Sequence, residues 1–165
     1  MNELCNQYRR NSRGWQYDYP AIVHPRIMVG SALSVDPLIF AKYKITHVIN
    51  CAHDIDSPKW FKNEYPHKYT FIGALDSAKE DITKWYPEFR ESMNVFLAEP
   101  ECKVIYVHCQ CGINRSAFLA LMYVCLKFGY KLENVTKSML IQRPCVFLNK
   151  TYQQQVVEYI KKHQE

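Results

Sequence analysis

No apolar run in this chain reaches the roughly 20 residues that a membrane-spanning helix needs, and its opening, Met1-Asn2-Glu3-Leu4-Cys5-Asn6, lacks the apolar core of a signal peptide. Nothing resembles a lipidation box. The expectation is therefore a cytoplasmic or nuclear protein, not secreted and without a membrane partner. Seven cysteines are an odd number and show no regular framework spacing, which fits a reducing compartment better than a disulfide scaffold. Cys109 and Cys111 form a Cys-x-Cys pair, but no second thiol pair or histidine cluster completes a tetrahedral set. No metal and no other cofactor is expected. Internal repeats are absent too, which removes solenoid architectures.

What is present suits one domain. With 165 residues, 48% of them hydrophobic and 14% aromatic, the chain can bury a proper core. Strand-like segments fall near residues 26–30, 47–51, 69–72 and 103–108, separated by helical stretches around 36–43 and 82–97. This alternation predicts an α/β fold, a central mixed and mostly parallel sheet flanked by helices. Beyond residue 116 the pattern is all helical, with breaks at Gly129 and Pro144, so a C-terminal helical cluster follows the sheet. In the 82–97 stretch Ile82, Trp85, Phe89, Met93 and Phe96 keep helical spacing and belong to the core. Pro87 is tolerated only in a first turn, which moves the helix start from Asp81 towards Lys84.

The most informative segment is Val107-His108-Cys109-Gln110-Cys111-Gly112-Ile113-Asn114-Arg115-Ser116, a short loop between a β-rich apolar stretch and an Ala- and Leu-rich helical one. A loop ending at a helix N-terminus collects unpaired N–H groups and the positive end of the helix dipole. Both favour an anion, and both favour thiolate over thiol at Cys109. Gln110, Cys111, Gly112, Ile113, Asn114 and Arg115 are the expected backbone donors, with Gly112 allowing backbone geometry that other residues resist and the loop side chains counting for less. Arg115 offers a planar fork that grips two phosphate oxygens together, which lysine cannot match. The bland alternative is a buried structural cysteine beside an incidental arginine.

His108, Cys109, Arg115 and Ser116 also fill every fixed position of His-Cys, five residues, Arg and Ser or Thr, and in this the chain resembles the cysteine-dependent protein phosphatases. Residues 25–31, a helical segment, and then residues 45–50 resemble the opening strand, helix and second strand of the dual-specificity branch, a compact type found in cells and in large DNA viruses. The Trp-Pro-Asp loop of the longer, tyrosine-specific enzymes is missing; Leu75-Asp76-Ser77 stands in its place. The likeness covers about residues 20–163, so residues 21–165 are expected to form the catalytic domain and residues 1–20 an N-terminal extension.

The resemblance implies roles. Cys109 is the nucleophile that forms a phosphocysteine intermediate, Arg115 binds the phosphate and the transition state, Asp76 is the general acid and base, and Ser116 helps the sulfur depart. Asp81 competes for the acid role but is also placed as a helix N-cap. His108 reads as a buried orienting residue. Asn149 is either the cap of the last helix or a brace for the catalytic loop. Cys51 is either a redox partner of Cys109 or a small core residue.

Phosphorylated proteins are the implied substrates, through phosphotyrosine and phosphoserine or phosphothreonine. Two alternatives stay open: an RNA 5′-triphosphatase or diphosphatase of the same superfamily, and a phosphoprotein-binding scaffold with weak turnover. Phosphoinositide-type relatives carry extra loop lysines, and none stands here. The net charge of +5 attracts anions in general, while Arg9, Arg10, Arg13, Lys161 and Lys162 read as solvated surface charge. The oligomeric state is not fixed by the sequence.

Overall fold

The structure is a computed structural model and describes residues 1–11 and 18–164. Arg13 lies outside the described residues. Five strands, β1 (Ala21–His24), β2 (Ile27–Gly30), β3 (Ile45–Asn50), β4 (Tyr69–Phe71) and β5 (Val104–His108), form one sheet in the order β1-β2-β5-β3-β4. The β1–β2 pair is antiparallel and the other three pairs are parallel, so the sheet is mixed and mostly parallel, as the alternation of elements predicts. The helices are α1 (Asn2–Asn11), α2 (Pro37–Tyr43), α3 (Lys59–Glu64), α4 (Tyr86–Ala98), α5 (Arg115–Phe128), α6 (Leu132–Gln142) and α7 (Lys150–His163).

Strand alternation explains why helices cover both faces. In β5, Ile105 and Val107 join the larger core cluster with α4, α5, α6 and α7, while Tyr106 points the other way. Tyr106 packs with Phe40 of α2 and Phe61 of α3 in a second cluster, at 5.5 Å between the Tyr106 and Phe40 rings. A strand buried on both faces reads as continuously apolar, and Val104 to Val107 does. Helix α5 is the axis of the larger layer. Every residue from Ser116 to Cys125 is buried, the signature of a helix without a solvent face.

Three elements go beyond the sequence expectations. Strand β1 is four residues long and pairs only at an edge, and α3 is a six-residue helix, both too short to generate a period. Helix α1 is mostly polar, yet Cys5 is fully buried, Arg9 donates to the Val146 carbonyl at 2.8 Å, and the helix packs on α6. Residues 82–97 divide: a 3-10 turn spans Ile82–Trp85, capped by Asp81 accepting from the Thr83 N–H, and α4 begins only at Tyr86 with Pro87 in its first turn. Lys44 ends α2 in the left-handed region at φ 58°, a conformation that costs a residue with a Cβ about 1–2 kcal/mol.

Candidate active site

Because β5 runs parallel between β2 and β3, it delivers Cys109 to the carboxyl edge of the sheet, and α5 starts at Arg115 immediately after the loop. The loop is turned inside out by its neighbours. The Gln110 carbonyl accepts from the Ala32 N–H at 3.1 Å, the Cys111 carbonyl from Arg143 Nη2 at 3.0 Å, the Gly112 carbonyl from Arg143 Nε at 3.3 Å, and the Ile113 carbonyl from the Phe147 N–H at 2.8 Å. With four successive carbonyls held from outside, the N–H groups of Gln110, Cys111, Gly112 and Ile113 find no acceptor among the described residues. Such a nest of free donors is an anion site.

Gly112 is required on two counts. Its φ is +66°, and a Cβ there would lie 2.3 Å from the Gly30 carbonyl carbon. Tyr106 closes the same contact from below, donating from its hydroxyl to the Ser31 carbonyl at 2.8 Å.

Cys109 is 2% exposed, and its Sγ lies 3.3 Å from the Ser116 hydroxyl. His108 belongs to the opposite face, edge-on to Tyr106, as strand alternation requires. Its Nδ1–H donates to the Cys109 carbonyl at 2.7 Å and its Nε2 accepts from the Ser57 hydroxyl at 2.9 Å, which fixes one neutral tautomer. Burial of the ring pushes its pKa down to about 4. Arg115 donates from Nη1 to the Ala74 carbonyl at 3.1 Å, while its buried Nε has no acceptor among the described residues.

Asp76 sits in the loop after β4, exposed, with both carboxylate oxygens engaged: Asn114 Nδ2 donates to one at 3.0 Å and Asn149 Nδ2 to the other at 3.3 Å. Asn149 also caps α7, its Oδ1 accepting from the Tyr152 N–H at 3.1 Å. The Tyr152 hydroxyl in turn donates to the Leu75 carbonyl. The expectation that loop side chains count for less needs correction at Asn114. Its amide joins three segments, donating to Asp76 and accepting the Asn149 N–H at 2.9 Å, because a short polar side chain at the helix entrance is within reach of both.

Cys51 follows β3 beside the loop, its N–H donating to the His108 carbonyl at 2.6 Å. It is fully buried, and burial first and the adjacent Cys109 second push its thiol well up. The sequence reading passed over Asp18, Ser57 and the bracing role of Arg143. The guanidinium of Arg143 is buried and, besides the two loop carbonyls, reaches Asp18 Oδ1 at 2.6 Å and the Tyr19 carbonyl at 2.8 Å. Arg143-Pro144, with Asn149 and Tyr152, resembles the family's late motif in sequence, but the partners that Arg143 braces lie more than 30 residues away and leave no local spacing. Among the described residues no group of three or more His, Cys, Asp or Glu side chains is placed to hold a metal ion.

Residues 27–162 match the family described as dual specificity phosphatase, catalytic domain. The chain belongs to that family. It is similar to a probable dual specificity protein phosphatase of Dictyostelium discoideum, 29% identical over 147 residues that cover 87% of this chain and 35% of the relative. Against human dual specificity protein phosphatase 4 the identity is 30%, covering 70% of this chain and 28% of that protein. The chain thus spans about a third of the length of these two relatives. The fold is shared with the crystal structure of the human tyrosine phosphatase-like serine/threonine/tyrosine-interacting protein, at a TM-score of 0.71 and 23% identity, covering 87% of this chain and 96% of that one. DUSP15 aligns equally well, at a TM-score of 0.71 and 24% identity over 86% of each chain.

Proposed function

We propose that this chain hydrolyses phosphomonoesters on proteins, on tyrosine and on serine or threonine, through a phosphocysteine intermediate and without a cofactor. The observation that carries this reading is the set of four outward-held carbonyls around Cys109, with the unpaired Nε of Arg115 at the loop's end. A dianionic phosphate supplies acceptors for the loop amides and for the guanidinium alike. Cys109 Sγ attacks phosphorus, the P–O ester bond breaks, and protonated Asp76 gives its proton to the departing oxygen. Water then attacks phosphorus, Asp76 takes back a proton, and the P–S bond breaks while the Ser116 hydroxyl donates to the leaving sulfur.

In this reading the anchoring of Asp76 by Asn114 and Asn149 ties the acid to the loop that holds the phosphate, so both half-reactions use one carboxyl. Residues 21–165 form the catalytic domain, and residues 1–20 form an extension that supports it through α1 and Asp18. The family resemblance and the absence of a lysine from the loop favour phosphoproteins in the cytoplasm or nucleus as substrates.

Hydrolysis of p-nitrophenyl phosphate and of phosphotyrosine and phosphothreonine peptides, with and without EDTA, tests the reading. Cys109→Ser should abolish turnover while phosphate binding persists, and EDTA should change nothing. Asp76→Asn should slow the phosphothreonine peptide about 10²–10⁴-fold and the activated aryl phosphate far less. Binding of phosphopeptide without turnover by the parent would instead identify a scaffold, and a strong preference for triphosphorylated RNA would move the substrate class.

A further inference from the structure

A well-formed cavity lies away from the phosphate loop. It opens at the other end of the strands, with a volume near 530 Å³, between α2, α3, the first residues of β3 and Lys103 just before β5. Phe40, Ile45 and Trp60 give it apolar walls, and Lys44, Lys68 and Lys103 stand around it. Among the described residues none of these three ammonium groups has a carboxylate within ion-pair distance, and Glu64 is the one acidic residue lining the cavity. Lys44 holds its place there in a left-handed conformation that a glycine would take without cost, a local strain of the kind found at binding sites.

We propose that this cavity is a docking site for an acidic segment of the phosphoprotein substrate, one carrying an aliphatic or aromatic anchor between its carboxylates. Charge complementarity selects the occupant: three lysines without a carboxylate partner, Lys68 lying 5.7 Å over the Tyr65 ring, surround an apolar slot and match an apolar side chain flanked by Asp or Glu. The proposal rests on the protein-phosphatase reading above and adds a second contact to it. Its distance from the chemistry sets a further condition. From Lys103, just before β5, to Cys109, just after it, the chain takes six residue steps, about 20 Å at 3.3 Å per strand residue, so a substrate must bridge at least that span. A substrate with a linker of about 12 residues can bind both sites, whereas a linker of about 2 residues cannot reach, at roughly 3.3–3.6 Å per extended residue.

The experiment compares phosphotyrosine peptides bearing a Glu-Asp-Leu-Phe-Asp-Glu tail on short and long Gly-Ser linkers, with p-nitrophenyl phosphate as the undocked control. The parent should show a KM about 10-fold lower for the long-linker peptide than for the short one, with kcat unchanged. The triple variant Lys44→Glu/Lys68→Glu/Lys103→Glu should lose that gain and keep parental p-nitrophenyl phosphate kinetics. The same tail without phosphate should quench Trp60 fluorescence and bind less tightly as salt rises. Equal KM values for both linkers, together with no Trp60 response, would overturn the docking site. Quenching without turnover of any substrate would keep the docking site and sink the phosphatase reading instead.

Discussion

Arg143→Met separates the bracing of the phosphate loop from the chemistry performed in it. The substitution removes the donors to the Cys111 and Gly112 carbonyls, to the Tyr19 carbonyl and to Asp18, while methionine keeps much of the apolar volume. The Arg143 side chain is only 2% exposed, so the two loop carbonyls lose their partners where water does not readily replace them. Each such loss costs about 1–3 kcal/mol. Asp18 is different, because its side chain is 40% exposed and water can solvate the orphaned carboxylate, which limits its share to about 1 kcal/mol. A loss of roughly 3–7 kcal/mol follows, equivalent to a fall in melting temperature of about 10 °C or more for a domain of this size. Activity should fall further than stability, since a loop peptide freed to rotate takes an N–H away from the phosphate, and one misdirected donor costs about 10²–10³ in rate. Thermal unfolding and p-nitrophenyl phosphate kinetics on the same preparation read both effects, with Asp18→Asn as the milder companion. A variant that melts within 3 °C of the parent and keeps kcat/KM would refute the bracing argument.

Other consequences are more local. His108 is held neutral in the fold with a pKa near 4 against an ordinary 6.5, so its contribution is complete above pH 6.5 and is lost as pH falls towards 4. The shift corresponds to about 3 kcal/mol, and His108→Gln should flatten the pH dependence of unfolding free energy in that window. Gly112→Ala drives a methyl group into the Gly30 backbone and should lower both soluble yield and phosphate affinity; parental vanadate binding by the variant would contradict this. Cys51, beside the loop, should trap oxidised Cys109: peroxide converts the Cys109 thiolate to sulfenic acid, and the Cys51 thiol displaces water to form a disulfide. Dithiothreitol should then restore activity in the parent but not in Cys51→Ser, and equal recovery in both would leave Cys51 as a core residue.

The sheet and the loop were legible because their signals are local. Val104 to Val107 is apolar throughout, Gly112 stands where only glycine fits, and Asp81 caps its turn as its place before Ile82 implies. The braces were illegible because they are assembled across the chain. Asp18 and Arg143 are 125 residues apart, Ser57 and His108 are 51 apart, and neither pair leaves a spacing or a period behind. Asn114 is an intermediate case. Its position in the loop is plain, but its bridge to Asp76 and Asn149 exists only once the β4 loop and the start of α7 have met.

The distribution of charge connects the two sites. Gln110, Cys111, Ile113 and Asn114 bring no formal charge to the loop, so a bound phosphate there meets backbone dipoles and the single guanidinium of Arg115. That arrangement neutralises the phosphate at short range, with Arg115 as the one formal charge among the loop residues. The net charge of +5 is carried elsewhere, in part by the lysines at the far end of β3 and β5. Long-range attraction and chemical recognition are thus assigned to opposite edges of the sheet. Rising ionic strength should therefore weaken capture of an acidic protein substrate within a Debye length of about 8–10 Å, while turnover of a small aryl phosphate, read by the loop alone, changes far less.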